Sequence, residues 1–256
     1  MCSGSIKEEN YKKAACYVAE AARKKAKLTV LPEHWDWLGK TAEKRNAAEK
    51  IEGPSIRLIQ DLAVRHQCEI IAGSILEANG NQSPYNTSVM VHEDGSLGKS
   101  YRKIHLFDTL AVGGHKESES TTPGDKAVVE NFKWGSVGLS ICYDLRFSEL
   151  YRKLVSMGAT ILTIPANFTA PTGMAHWESL IRARAIENQC FVIAAGQTGI
   201  TGTGWEAHGH SMIVSPWGEV LAIAGKEEGI STAELNLDQV KEIRAQMPVQ
   251  SHRKVF

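Results

Sequence analysis

The sequence predicts an α/β layered fold. Three observations carry that prediction. Segments with apolar residues at helical spacing alternate with short apolar runs of strand length. Two hairpin signals interrupt the alternation. No linker, low-complexity stretch or clear repeat divides the chain, so one domain over residues 1–256 is expected. Ser5-x-x-Glu8 reads as a capping box, and behind it Tyr11, Ala15, Val18 and Ala22 form a helical stripe ending near Lys27. Leu28 to Leu31 is a buried strand stopped by Pro32. Gly53-Pro54 opens a second helix, whose stripe is Ile56, Ile59, Leu62 and Ala63. Glu69 to Gly73 is a strand, and Thr87 to His92 and Leu97 to Lys103 flank the turn Glu93-Asp94-Gly95-Ser96.

Residues 108 to 127 read as loop, with Gly113-Gly114 and Pro123-Gly124. Val137 to Ile141 is a strand ending at Cys142. Ser148 to Met157 is a helix closed by Gly158. A strand over Ala159 to Ile164, a helix over His176 to Gln189 and a strand over Cys190 to Ala195 follow. Ser211 to Val214 pairs with Glu219 to Ile223 around Pro216-Trp217-Gly218. The last helix is Asp238 to Gln246, stopped by Pro248.

Composition narrows the function classes. With 256 residues, 43% hydrophobic and 23% charged, the chain builds a core without disulfide staples. Lys+Arg and Asp+Glu balance at 29 each, and the one dense basic run, Arg23-Lys24-Lys25, reads as a solvated helix face. No nucleic-acid partner is expected. No apolar run approaches the ~20 residues of a membrane span, and no signal peptide is visible. Five widely spaced cysteines without C-x-x-C argue against a disulfide framework and a thiolate zinc site. A reduced, cytoplasmic setting follows, where a single reactive thiol becomes a candidate.

Several motifs fail. Leu38-Gly39-Lys40-Thr41 and Leu97-Gly98-Lys99-Ser100 lack the earlier glycine of a P-loop. Gly202-x-Gly204-x-x-Ala207 leads into a strand rather than a helix, against a dinucleotide site. His208 and His210 have no neighbouring third ligand, so no metal is expected. G-x-S-x-G is absent.

Three segments survive, each placing an ionisable residue just beyond a strand: Leu31-Pro32-Glu33-His34, Tyr101-Arg102-Lys103-Ile104-His105 and Ile141-Cys142-Tyr143-Asp144. Strand ends are where open α/β sheets build sites. Brought together, a thiol, a carboxylate to take its proton and an ammonium beside the nascent oxyanion suffice for covalent acyl transfer. Taken singly, Cys142 reads more readily as a small core residue, and an isolated Glu or Lys as solvated.

These segments resemble the Glu–Lys–Cys signature of the nitrilase superfamily, the carbon–nitrogen hydrolases. Ala175 to Cys190, His208 to Gly218 and Met247 to Arg253 resemble it too, so the resemblance spans the chain in order. It implies a four-layer α-β-β-α sandwich of two mixed sheets. It also implies Cys142 as nucleophile, Glu33 as general base and then acid, Lys103 as oxyanion stabiliser and the Tyr143 backbone N–H as second oxyanion donor. A further glutamate matches Glu117, with Glu119 two residues on. The implied reaction turns a terminal carboxamide into a carboxylic acid and ammonia through a thioester, with no cofactor. The branch most resembled is that of deaminated glutathione amidase, through Glu117 to Gly124, Ala175 to Cys190 and Ala194-Ala-Gly-Gln197. The ω-amidase branch, acting on α-ketoglutaramate, is its neighbour. A catalytically silent binding or scaffold protein of the same fold is the alternative from another class, which the intact trio argues against.

Both candidate substrates carry carboxylates. Asn167, Phe168 and His176, after a strand or at a helix start, are candidates to line the pocket, whereas Arg182 and Arg184 read as helix residues that pair or snorkel. A homodimer through the helices flanking the nucleophile is implied by the resemblance. Family members open with a strand that ends where this chain starts. That first strand is therefore expected to be missing and a sheet edge exposed, with a misassigned start codon as the expected explanation.

Overall fold

The computed structural model describes residues 1–110 and 114–254. Residues 111–113 and 255–256, with Gly113 of the expected loop and the chain's last two positions, lie outside the described residues. In chain order the elements are α1 (Lys7–Arg23), β1 (Leu28–Val30), α2 (Lys44–Ala47), α3 (Pro54–His66), β2 (Glu69–Ile71), β3 (Ile75–Glu77), β4 (Tyr85–Val91), β5 (Leu97–Arg102), β6 (Val129–Phe132) and β7 (Gly135–Leu139). Then come α4 (Ser148–Ser156), β8 (Ile161–Ala166), α5 (Ala170–Asn188), β9 (Phe191–Gly196), β10 (Thr198–Ile200), β11 (Glu206–His208), β12 (Met212–Val214), β13 (Val220–Ile223), α6 (Asp238–Gln246) and α7 (Val249–His252).

Among the described residues the strands make two mixed sheets and a ribbon. The first sheet runs β1-β2-β4-β3, with β5 on the other side of β4. Only β1 and β2 are parallel in it. The second runs β13-β12-β9-β8-β7-β6, parallel in its β7-β8-β9 centre and antiparallel outside. The parallel strands read as unbroken apolar runs because both faces are covered, as in β8, where every residue is buried.

The layering follows from which faces are apolar. Ile71, Met90 and Tyr101 of the first sheet share one core cluster with Val137, Leu139, Ile161 and Val192 of the second. The sheets therefore pack face to face. The first sheet's other face meets α1 and α3 through Ile70, Val89, Val18, Ile56 and Ile59. The second sheet's other face meets α4 and α5 through Leu154, Trp177 and Ile181. This is the α-β-β-α sandwich. No helix among the described residues is long and apolar enough to cross a membrane.

Two helix starts differ from the sequence reading. Ser5 makes no cap, and α1 begins at Lys7 behind Ile6. The buried Asn10 side chain instead holds the entering chain, bonding Gly4 N–H and the carbonyls of Gly4 and Asp36. The stripe accordingly falls on Asn10, Ala14, Val18 and Ala21. α5 begins at Ala170 rather than His176, because Pro171 fits a first turn and Gly173 is tolerated where the helix backbone passes His208 closely. Among the described residues no strand pairs with the outer edge of β1. That edge lines a cavity of about 1140 Å³ whose wall also includes residues 229–238.

Candidate active site

The three ionisable residues sit beyond strand ends and meet. Glu33 follows β1 by way of Leu31-Pro32, Lys103 directly follows β5, and Cys142 opens the tight turn Cys142–Arg146 after β7. They are 3%, 2% and 7% exposed. Lys103 Nζ donates to Glu33 Oε1 at 2.9 Å and to Glu117 Oε2 at 2.8 Å. The Cys142 thiol lines the same pocket as the Glu33 carboxylate, near enough for each to shift the other's titration. Two more donors fix Glu33: Asn86 Nδ2 reaches Oε1 at 2.8 Å and the Asn167 backbone N–H reaches Oε2 at 2.7 Å.

Electrostatics assign the resting protons. Burial raises the Glu33 pKa, but the Lys103 ammonium and the bond it donates prevail, holding it down at about 2. Burial pushes the Cys142 thiol well up, and the Glu33 carboxylate pushes it further. Burial disfavours charge on Lys103, yet Glu117 and Glu33 on either side keep it an ammonium. Burial raises Glu117 too, and Lys103 overrides it downwards. The resting site is thus a thiol, two carboxylates and an ammonium between them.

The nucleophile's backbone is unusual. Cys142 has φ +49°, a left-handed conformation rare outside glycine. Asp144, fully buried, fixes the turn: its Oδ2 accepts the Ile141 N–H at 2.9 Å and the Tyr101 hydroxyl at 2.7 Å. Its Oδ1 accepts the His105 N–H at 3.0 Å. Tyr143, next in the turn, presents its N–H among the early donors that such a turn leaves without an internal partner.

A pocket of about 80 Å³ opens on this cluster, lined by Glu33, His34, Trp37, Lys44, Lys103, Phe107, His115, Glu117, Cys142, Asn167, Thr169, Thr203 and Trp205 among others. The larger cavity beside β1 contains none of the three catalytic candidates. Glu117, 5% exposed, also accepts the Phe107 N–H at 2.8 Å, whereas the Glu119 side chain is 70% exposed and pairs with Lys116. The geometry therefore puts Glu117, not Glu119, at the cluster.

Of the expected lining residues, Asn167 is in place. Phe168 packs on Trp177 and under Arg146, outside the pocket lining. His176 lies mid-helix on the exposed face of α5 beside Arg146, because the helix starts six residues earlier than expected. Arg182 bonds the Gly218 carbonyl and Arg184 the Leu145 carbonyl, structural roles as read from the sequence. His208 and His210 stack on each other. Ligand atoms of Glu33, His34 and Glu117 lie within 4.8 Å of one another, a spacing suited to a cation. The Lys103 ammonium bonds both of those carboxylates, so the chain supplies that positive charge itself.

Sequence reasoning missed Asn86, Asp144 and Lys44. Asn86 carries no signal in the sequence: it stands in the polar half of β4 beside Thr87 and Ser88, and only its full burial shows that it needs a polar partner. Gln197 bonds the Ser3 hydroxyl and the Glu33 carbonyl, holding the Glu33 backbone from the opposite sheet.

With this geometry in place, comparison with known proteins is specific. The family model "Carbon-nitrogen hydrolase" matches residues 3–245. A deaminated glutathione amidase from Synechocystis is 42% identical over 251 residues, covering 96% of this chain and 92% of that protein. An ω-amidase from Xenopus laevis is 40% identical over 251 residues, covering 97% and 91%. The crystal structure of the C. elegans NitFhit protein superposes with TM-score 0.92 at 36% identity over 99% of this chain and 64% of that one. Saccharomyces cerevisiae Nit3 gives TM-score 0.88 at 33% identity, over 96% and 91%. The chain belongs to the carbon–nitrogen hydrolase family and is a hydrolase of carbon–nitrogen bonds with a cysteine nucleophile.

Proposed function

We propose that this carbon–nitrogen hydrolase opens the amide of a small carboxylate-bearing substrate through a thioester on Cys142, with deaminated glutathione as that substrate. The observation that carries the reading is that buried Cys142, Glu33 and Lys103 line one pocket, with the Lys103 ammonium bonded to the Glu33 carboxylate.

Sulfur attacks the amide carbonyl carbon as Glu33 takes the thiol proton. The resting proton positions make this transfer uphill, so it is completed only as negative charge moves onto the carbonyl oxygen. At that moment Glu33 becomes neutral and Lys103, freed of one counter-charge, turns its field on the oxyanion. The Tyr143 N–H is the second donor. Glu33 then protonates the departing nitrogen and the C–N bond breaks, leaving a thioester and an ionised Glu33. Water, deprotonated by Glu33, attacks the thioester; the acid leaves and sulfur recovers its proton. Glu117 touches Lys103 rather than the reacting atoms, and acts as a positioning residue.

The leaving group corrects one expectation from the sequence. Deaminated glutathione has no primary carboxamide; its amide joins a 2-oxoglutaryl group to cysteinylglycine. On that substrate the released nitrogen is the dipeptide's amine, and ammonia belongs to α-ketoglutaramate, the ω-amidase reading that the Xenopus laevis relative supports. Both reactions yield 2-oxoglutarate, so one assay compares them. Higher kcat/KM for deaminated glutathione is expected, with Cys142→Ala inactive on both. Preference for α-ketoglutaramate makes the chain an ω-amidase, and activity surviving in Cys142→Ala removes the thioester scheme. The homodimer expected through α4 and α5, where Met157 just past α4 and Met174 and Ile186 of α5 are exposed, belongs to the same reading; a monomer mass by light scattering would remove it.

A further inference from the structure

One cation in the pocket has no carboxylate in an ion pair with it among the described residues. Lys44, on the single-turn helix α2, donates to the Ser120 hydroxyl at 3.0 Å and the Thr121 hydroxyl at 3.2 Å. Both hydroxyls belong to the segment just after Glu117. An ammonium has three N–H donors, so those bonds leave one for the pocket that Lys44 lines. Among the described residues no carboxylate forms an ion pair with it.

The other basic groups of the pocket differ. Lys103 is bound between two carboxylates. Burial holds His34 down at about 4 and lowers His115, so both are neutral near pH 7. Burial also lowers Lys44, against the pull of Glu117. A half-buried ammonium held only by hydroxyls gains when a counter-charge arrives. Here the pocket that would deliver one also holds Cys142.

We propose that Lys44 is a specificity-determining residue that binds a carboxylate of the amide substrate. This rests on the amidase reading above. The same charge repels an α-ammonium placed beside that carboxylate, which fits a substrate whose amino group has been removed.

The carboxylate has two sources, the acyl half or the leaving group. Wild type and Lys44→Met are compared on α-ketoglutaramate (carboxylate on the acyl half), N-butanoylglycine (carboxylate on the leaving group) and neutral pentanamide. Inhibition by glutarate is measured in parallel. The expected result is a KM increase of about tenfold to a hundredfold for one carboxylated amide, the range of a lost charged hydrogen bond. Its kcat and the pentanamide rate stay within about threefold, the glutarate inhibition constant rises alongside, and Lys44→Arg recovers part of the loss. The affected amide identifies the half that is bound. Equal losses on all three amides, or unchanged KM and glutarate inhibition, overturn the assignment while leaving the amidase intact. A wild-type protein that hydrolyses neither these amides nor deaminated glutathione overturns the amidase reading itself.

Discussion

Tyr101 donates its hydroxyl to Asp144 Oδ2 over 2.7 Å, joining the strand that carries Lys103 to the turn that carries Cys142. The two belong to different sheets. Asp144 also receives the Ile141 and His105 N–H groups, so one buried carboxylate sets the spacing between ammonium and sulfur. Tyr101→Phe removes one of these bonds and is expected to cost about 1–2 kcal/mol in urea unfolding. Asp144→Ala leaves several buried donors unpaired and is expected to cost about 3 kcal/mol or more. Equal losses for the two variants would contradict the role of Asp144 as a hub.

Glu117 and Glu119 lie on the same short turn, yet only Glu117 reaches Lys103. Glu117→Gln keeps the shape but removes the charge that holds the ammonium on its far side. The expected outcome is a kcat loss of about a hundredfold or more with a smaller change in KM, in the range of lost proton-transfer and electrostatic assistance. Glu119→Gln should stay within about twofold, as an exposed ion pair contributes little. Steady-state kinetics of both variants on α-ketoglutaramate decide the matter.

How much of this was legible in the chain divides by physical cause. The trio was readable because each member follows a strand whose apolar run and stop signal are local, as at Leu31-Pro32-Glu33. The longer elements were readable for the same reason, and α3 and α6 begin where the sequence places them. The packing of two sheets was not readable from periodicity, since Tyr101 and Val137 join one core cluster only through long-range contacts; the family resemblance supplied it. Strands of three residues, such as β3 and β10, carry too few positions to show a period. Lys44 reads in sequence as one more solvated lysine, and the hydroxyls that hold it, on Ser120 and Thr121, lie over seventy positions away.

The depressed carboxyl of Glu33 links stability to pH. A group whose folded pKa lies below its unfolded one stabilises fully above the unfolded value and loses that contribution as pH falls through the folded value. For Glu33 the window runs from 4.5 down to about 2. The difference in unfolding free energy between wild type and Glu33→Gln is therefore expected to be flat from about pH 5 to about pH 8 and to shrink below 4.5. A difference that grows on acidification would reverse the sign and place the proton on Glu33 in the resting enzyme. The assay is chemical denaturation at fixed ionic strength, with the midpoint and slope fitted at each pH.

Gly73 fixes the loop that delivers Glu33. Its φ is +47°, and a Cβ there would stand 2.0 Å from the Pro32 carbonyl oxygen, a backbone atom that cannot rotate aside. Gly80 has a similar φ of +56° but nothing within 4 Å of the same virtual atom. The pair separates backbone conformation from contact. Gly80→Ala carries only the conformational cost, about 1 kcal/mol, with unchanged turnover. Gly73→Ala carries that cost plus a displacement of Leu31-Pro32, expected to total about 3 kcal/mol or more. Because Ser74 anchors the His34 N–H through its hydroxyl at 3.0 Å, the displacement should also move Glu33 relative to Cys142 and lower kcat. Equal stability losses in the two variants, or a Gly73→Ala protein of wild-type turnover, would show that the loop holds Glu33 without this close approach.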